Sequence, residues 1–141
     1  MLFACLLGEN YMSLFENAKK YYWDKEMNCA EGILLGGSDT YGLGITDKEV
    51  ALLSGFGGGI GCGKICGCAA GSVAVLGRLF SDREDFRDIC AAFVSEFENG
   101  LGCGTINCEV LKAKYKTEEN RCLETVTRSA ELLEKFIEKY R

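Results

Sequence analysis

The chain has neither histidine nor proline among its 141 residues. The first absence removes imidazole as a general base, as the partner of a serine or cysteine nucleophile, as a metal ligand and as the haem ligand of a CxxCH attachment site. The second leaves helices without enforced stops, so glycine must supply the punctuation. CxxC pairs are missing too, although nine cysteines are present. Zinc modules usually bring their ligands as two such pairs, which ranks a structural zinc site on four cysteines, in a non-catalytic binding module, behind other readings. No segment alternates with period two long enough to argue for a strand. Lysines and arginines are spread thinly over a chain of net charge −5, which argues against a nucleic-acid partner.

The opening MLFACLLG is apolar but has no basic flank and no small-residue cleavage site, and Glu9 and Asn10 interrupt it. It reads as neither a signal peptide nor a membrane span. Met12 begins a more ordinary helical pattern, so residues 1–11 are expected to be an N-terminal extension, disordered or preceding the true start, and Cys5 enters no functional reading. With 48% hydrophobic residues the remainder, 12–141, is long enough for one core and is expected to form a single helical domain. Without a secretory signal the expected location is the cytoplasm, where thiols stay reduced and a dense, odd set of cysteines points to metal binding or redox chemistry rather than to a disulfide framework.

What is present reads as helix almost throughout. Leu14, Phe15, Ala18, Tyr21 and Tyr22 recur at helical spacing between Tyr11 and Trp23. Asn28 with Glu31 three positions on reads as a capping box opening a helix toward Tyr41, and Thr46 with Glu49 repeats the signature. A helix is expected from about Ile65 to Phe80. Ser81 with Glu84 is expected to cap the next, whose stripe of Phe86, Ile89, Cys90, Phe93, Val94 and Phe97 ends at Asn99-Gly100. Asn107 is expected to cap a short helix and Thr117 to open the last. The fold class is therefore all-α, a compact bundle of five to six helices with a glycine-rich, cysteine-bearing segment before the fourth.

Position distinguishes the cysteines. Cys29 follows Asn28 and Cys108 follows Asn107, so both thiols fall in the first turn of a helix, where free N–H groups and the helix dipole favour a thiolate. Cys66 lies where the glycine stretch meets its helix, and Cys122 is expected a turn inside the last one. Cys90 reads as a small core residue, and Cys68 as a packing residue in a tight helix contact. Cys62 and Cys103 share a Gly-Cys-Gly setting and read as a resolving thiol pair or as additional ligands. Residues 55–71 hold eight glycines and three cysteines in seventeen positions. Gly57, Gly58, Gly59 and Gly67 can let backbone pass close to sulfur and aim N–H groups at it; glycines alone could equally serve close helix packing or a mobile loop. If residues 62–68 were helical, Cys66 and Cys68 would face opposite ways, so only unwound backbone would bring Cys62, Cys66 and Cys68 together.

Asn28-Cys29-Ala30-Glu31, then Gly55-Phe56-Gly57-Gly58-Gly59 leading to Cys66-Gly67 and Gly71, then Asn107-Cys108 and Arg121-Cys122 resemble the redox-active C_GCAxxG_C_C family over roughly residues 12–140. Read literally, the motif starting at Gly67 ends on Ser72, with Gly71 one place early. The family is related to split-Soret cytochromes, which bear an iron–sulfur site beside their haems. By this resemblance the family cysteines are Cys29, Cys66, Cys108 and Cys122, with Cys62, Cys68 and Cys103 as extras. The haem part does not carry over to a chain without histidine.

Three functions follow. The leading expectation is electron transfer or redox sensing through an iron–sulfur cluster on Cys29, Cys66, Cys108 and Cys122, its nuclearity open, with a redox partner protein and a homodimer as an open assembly. The second is a metal-free thiol–disulfide protein in which Cys66 or Cys29 attacks and another thiol resolves. The third is the zinc site. No substrate pocket is legible: acidic groups such as Asp82-Glu84-Asp85 and Glu118-Glu119 read as first-turn capping and solvent-facing charge. Tyr21, Tyr22 and Trp23 read as a helix end packed on the core, with a cover over the cluster or a subunit contact as alternatives.

Overall fold

The computed structural model describes residues 12–141; the expected extension, with Cys5 and Tyr11, lies outside them. Seven α-helices follow in order: α1 Leu14–Lys19, α2 Cys29–Tyr41, α3 Asp47–Ala51, α4 Gly67–Phe80, α5 Phe86–Gly100, α6 Cys108–Tyr115 and α7 Leu123–Glu138. The fold is all-α. Among the described residues the only β pairing is two isolated bridges, Ile65 with Asn107 and Thr117 with Arg121, and no helix is long and apolar enough to cross a membrane.

Capping chemistry sets most boundaries. Ser13 accepts the Glu16 N–H to open α1, which runs on into a wider turn over Lys20–Asp24. Asn28 accepts the Glu31 N–H at 2.8 Å while the Glu31 carboxylate accepts the Asn28 N–H at 3.0 Å, a closed capping box on α2. Thr46 and Glu49 repeat it on α3, and Asn107 caps α6 by accepting from Val110.

Two expected caps are corrected. Ser81 instead closes α4, donating its N–H to Gly77. Successive turns, with the Arg83 N–H on the Phe80 carbonyl and the Phe86 N–H on the Arg83 carbonyl, occupy this stretch, and α5 begins at Phe86. Thr117 pairs with Arg121 across a tight turn through reciprocal backbone bonds of 3.1 and 2.8 Å, so α7 starts only at Leu123. Cys122 therefore sits at the N-cap position of α7 and not a turn inside it.

The core lies between α1, α2, α4, α5 and α7. Leu14, Ile33, Leu76, Ile89, Phe93, Phe97, Leu133, Phe136 and Ile137 are fully buried, and Phe93 meets Phe136 edge-on with ring centroids 5.3 Å apart. Each such side chain contributes about 1.5–3 kcal/mol on burial. Helices α2 and α4 pack most intimately, because no side chain separates them at Gly71: a Cβ there would lie 2.6 Å from the Ala30 carbonyl oxygen. This contact brings the starts of both helices to the same end of the bundle.

Gly71→Ala should therefore force backbone against backbone and lower stability by about 1–3 kcal/mol. Gly77→Ala, in the same helix with its nearest neighbour 3.9 Å away, should be neutral or stabilising by up to about 1 kcal/mol. Thermal unfolding followed by circular dichroism separates the two; equal melting temperatures would refute the close approach.

Candidate redox centre

Four cysteines begin four helices. Cys29 and Cys108 are the first residues of α2 and α6, and Cys66 and Cys122 occupy the N-cap positions of α4 and α7. These starts meet at one end of the bundle: among Cys29, Cys66, Cys108 and Cys122, every pair lies close enough for the charge on one to oppose ionisation of the other.

Backbone contacts hold them. The Cys66 N–H donates to Ile106 at 2.8 Å and the Cys108 N–H to Lys64 at 2.6 Å, clamping the start of α4 to the start of α6. The Asn28 amide donates to Leu53 and Ser54, tying the start of α2 to the segment that follows α3. Buried Tyr22 accepts the Cys122 N–H at 3.1 Å, and Arg121 lies over the rings of Tyr22 and Trp23. Tyr22 thus joins the core expected of it to a cysteine turn, a contact the sequence reading assigned to no single residue.

Of the four named glycines, Gly58, Gly59 and Gly67 lie beside a sulfur. Gly58 aims its N–H at Cys29. Gly59, at φ +66, turns the chain directly under Cys108, where a Cβ would come within 2.6 Å of the cysteine Cβ and 2.5 Å of the Lys64 nitrogen. A Cβ on Gly67 would overlap the Cys29 sulfur outright, and one on Gly57 would press against the Asn28 side chain at 3.0 Å. Backbone occupies the space beside the thiols that side chains fill elsewhere.

Cys68 is buried in the core, as expected of a packing residue in a tight helix contact, and it also neighbours two other thiols. Its thiol is in hydrogen-bonding contact with both Cys29 and Cys66. These bonds, with burial, hold Cys68 protonated well above the usual thiol range. The same Cys68 contact, with the N–H groups of Ala30, Cys29 and Gly58, lowers Cys29 to about 7 against the opposing cost of burial. Cys66 is lowered by Cys68 and by the N–H groups of Ala69 and Cys68, against burial and the charge on Cys29. Burial raises Cys108 and Cys122, offset in part by Lys112 for the first and by Lys116 and Lys112 for the second.

The remaining thiols lie differently. Cys62 is exposed, donating to the Gly59 carbonyl at 3.5 Å. Cys103 is half-buried against the core, and half-buried Cys90 on α5 is raised by burial alone. Among the described residues no group of three or more histidine, cysteine, aspartate or glutamate side chains is placed to hold a metal ion.

A family model described as "Putative redox-active protein (C_GCAxxG_C_C)" matches residues 27–136, most of the chain. The chain belongs to the C_GCAxxG_C_C family. No curated protein and no solved structure matches it. Within this redox-active family's motif the early position of Gly71 has a physical reason here: Gly67 and Gly71 stand one turn apart on α4, and both face the start of α2. Ser72, at the literal end of the motif, is fully buried and donates back to the Cys68 carbonyl at 2.7 Å.

The thiol pKa values set a pH profile for the reduced, metal-free protein. Cys29 and Cys66 are lowered in the folded state, so between about 7 and the ordinary thiol value near 9 the unfolded chain binds more protons and stability rises with pH. Cys68 is raised, so above about 9 the folded state binds more protons and stability falls. Denaturant melts across pH 6–10 should show this maximum, and thiolate absorbance near 240 nm should show a group titrating near 7 that Cys29→Ser removes. A profile unchanged by Cys29→Ser would contradict the assignment.

Proposed function

We propose that Cys29, Cys66, Cys108 and Cys122 hold an iron–sulfur cluster and that the protein is an electron carrier or redox sensor. The observation that carries this reading is the meeting of four cysteines, each at the start of its own helix and each within the field of the other three. Helix starts favour anionic sulfur, and N–H groups directed at sulfur stabilise negative charge and tune potential. The donor set fits an all-thiolate centre in a chain without histidine. An iron–sulfur core spreads its four thiolates over two or four irons, whereas a lone zinc asks for four ligands around one point.

When bound, the cluster supplies one-electron chemistry. The chain's own residues do the rest: Gly58 and Ala30 donate to Cys29, Ala69 and the Cys68 backbone donate to Cys66, and the turn at Gly59 covers Cys108. Tyr22 holds the Cys122 turn through its hydroxyl. Electrons would pass to and from a redox partner protein, with the cytoplasm as the compartment that keeps such thiols reduced.

Protein purified anaerobically should be brown and contain iron and acid-labile sulfide. Cys66→Ser and Cys108→Ser should lose both while keeping the helical far-UV spectrum, and Cys90→Ser should retain them. Protein that holds one tightly bound zinc as purified, protein that holds neither iron nor sulfide as purified, or equal iron in the Cys66 and Cys90 variants would each overturn the proposal.

A further inference from the structure

Cys68 is fully buried, 1% exposed, in the first turn of α4, and that turn lies against the Cys29 sulfur on α2, which a Cβ at Gly67 would overlap. Half-buried Cys29 is the member of this contact that solvent can reach. A disulfide needs Cα atoms about 4.4–6.8 Å apart. At Gly67, the residue before Cys68, there is no room for even a methyl group against the Cys29 sulfur, and Gly71 meets the Ala30 backbone, so the backbones of α2 and α4 approach closely beside this pair. The other contact, Cys66 with Cys68, spans a single intervening residue and would close a small strained ring.

We propose that Cys29 and Cys68 form a site of hydroperoxide-driven disulfide formation in the metal-free protein. The inference goes beyond the cluster reading and concerns the state in which Cys29 is not bound to metal. In the first step the Cys29 sulfur attacks one oxygen of hydrogen peroxide. The O–O bond breaks, the sulfur becomes a sulfenic acid, and the departing hydroxide takes up a proton as water. In the second step the Cys68 sulfur displaces that hydroxyl; an S–S bond forms, the S–O bond breaks, and the hydroxyl leaves as water with the thiol proton. Two thiols lose two electrons and two protons, and peroxide becomes two waters.

The arrangement divides the labour by access. Cys29 meets the oxidant, and Cys68, shielded from it, reacts only with what Cys29 becomes. The bond would join the starts of α2 and α4 where they already touch, and it would remove Cys29 from the ligand set until a dithiol reductant restores it. A sulfenic acid with a thiol in contact also escapes further oxidation to the irreversible acids.

The test uses the full chain, reduced and kept metal-free by chelator, treated with one equivalent of hydrogen peroxide and digested with trypsin. Cys29 and Cys68 fall in separate peptides, residues 26–48 and 65–78. The expected result is a dithiothreitol-reversible cross-link between them, assigned to Cys68 over Cys66 by fragment masses and retained in Cys66→Ala. In Cys68→Ala, with an unchanged far-UV spectrum, Cys29 should instead accumulate a sulfenic acid trapped by dimedone. A cross-link through Cys66, or oxidation that leaves Cys68 a free thiol in the unaltered chain, would overturn the inference. Because no iron enters this experiment, its failure would leave the cluster to be judged separately by iron and sulfide content.

Discussion

The structure depends on backbone meeting backbone where α2 and α4 begin. Gly67 and Gly71 face Cys29 and Ala30, and a Cβ at either position would collide with α2, so the backbone of α4 lies directly against the residues that open α2. Three sulfurs, on Cys29, Cys66 and Cys68, then come into contact, and the clamp between residues 64–66 and 106–108 adds the start of α6. The turn from Thr117 to Arg121, held to Tyr22 through Cys122, adds the start of α7.

Bringing four helix starts together has an electrostatic consequence. Each carries a partial positive charge of roughly half an elementary unit, so four of them concentrate about two positive charges at one end of the bundle. That is unfavourable unless anions sit there, and thiolates on Cys29 and Cys66 are the two the surroundings favour. Burial opposes ionisation of Cys108 and Cys122. Ionising all four would therefore exceed what the helix ends can balance by roughly two charges, and metal cations are a natural species to make up the difference. This is the physical link between the fold and the proposed cluster.

Where local chemistry decided the structure, the sequence could be read. Asn28 with Glu31, Thr46 with Glu49, and Asn107 each close a cap within their own first turn, and all three caps form as the spacing implies. Ser81 and Thr117 carry similar signatures, but both lie beside residues that close competing turns, at Arg83 and at Arg121, the latter in a left-handed conformation at φ +51. Cys29 and Cys108 were legible because a cap fixes the residue after it. Cys68 was not, because its role depends on the phase of the helix. Helical geometry continued back through Cys66 sets the two sulfurs on opposite faces, whereas the helix starts at Gly67 and leaves Cys66 extended, at ψ 128°. Tyr22 reaches Cys122 a hundred residues away, a contact no local pattern announces.

The loop from Gly58 to Gly63 sets a cost against this arrangement. Ordering backbone costs about 1–2 kcal/mol per residue, and glycine loses the most freedom. Here Gly58, Gly59, Gly61 and Gly63 are all left-handed, and Ile60, a β-branched residue at φ +62, is strained as well. Little apolar burial offsets this, since Ile60 is exposed. What holds the loop is polar and local to the thiols: the Lys64 N–H on the Gly59 carbonyl at 2.9 Å, the Cys108 N–H on the Lys64 carbonyl, and the Gly58 N–H on the Cys29 sulfur. The last of these strengthens as Cys29 becomes anionic, because hydrogen bonds to charged acceptors are the stronger ones. The loop and the charge on the sulfurs therefore stabilise each other, and whatever fixes negative charge at Cys29 also fixes the backbone that covers Cys108.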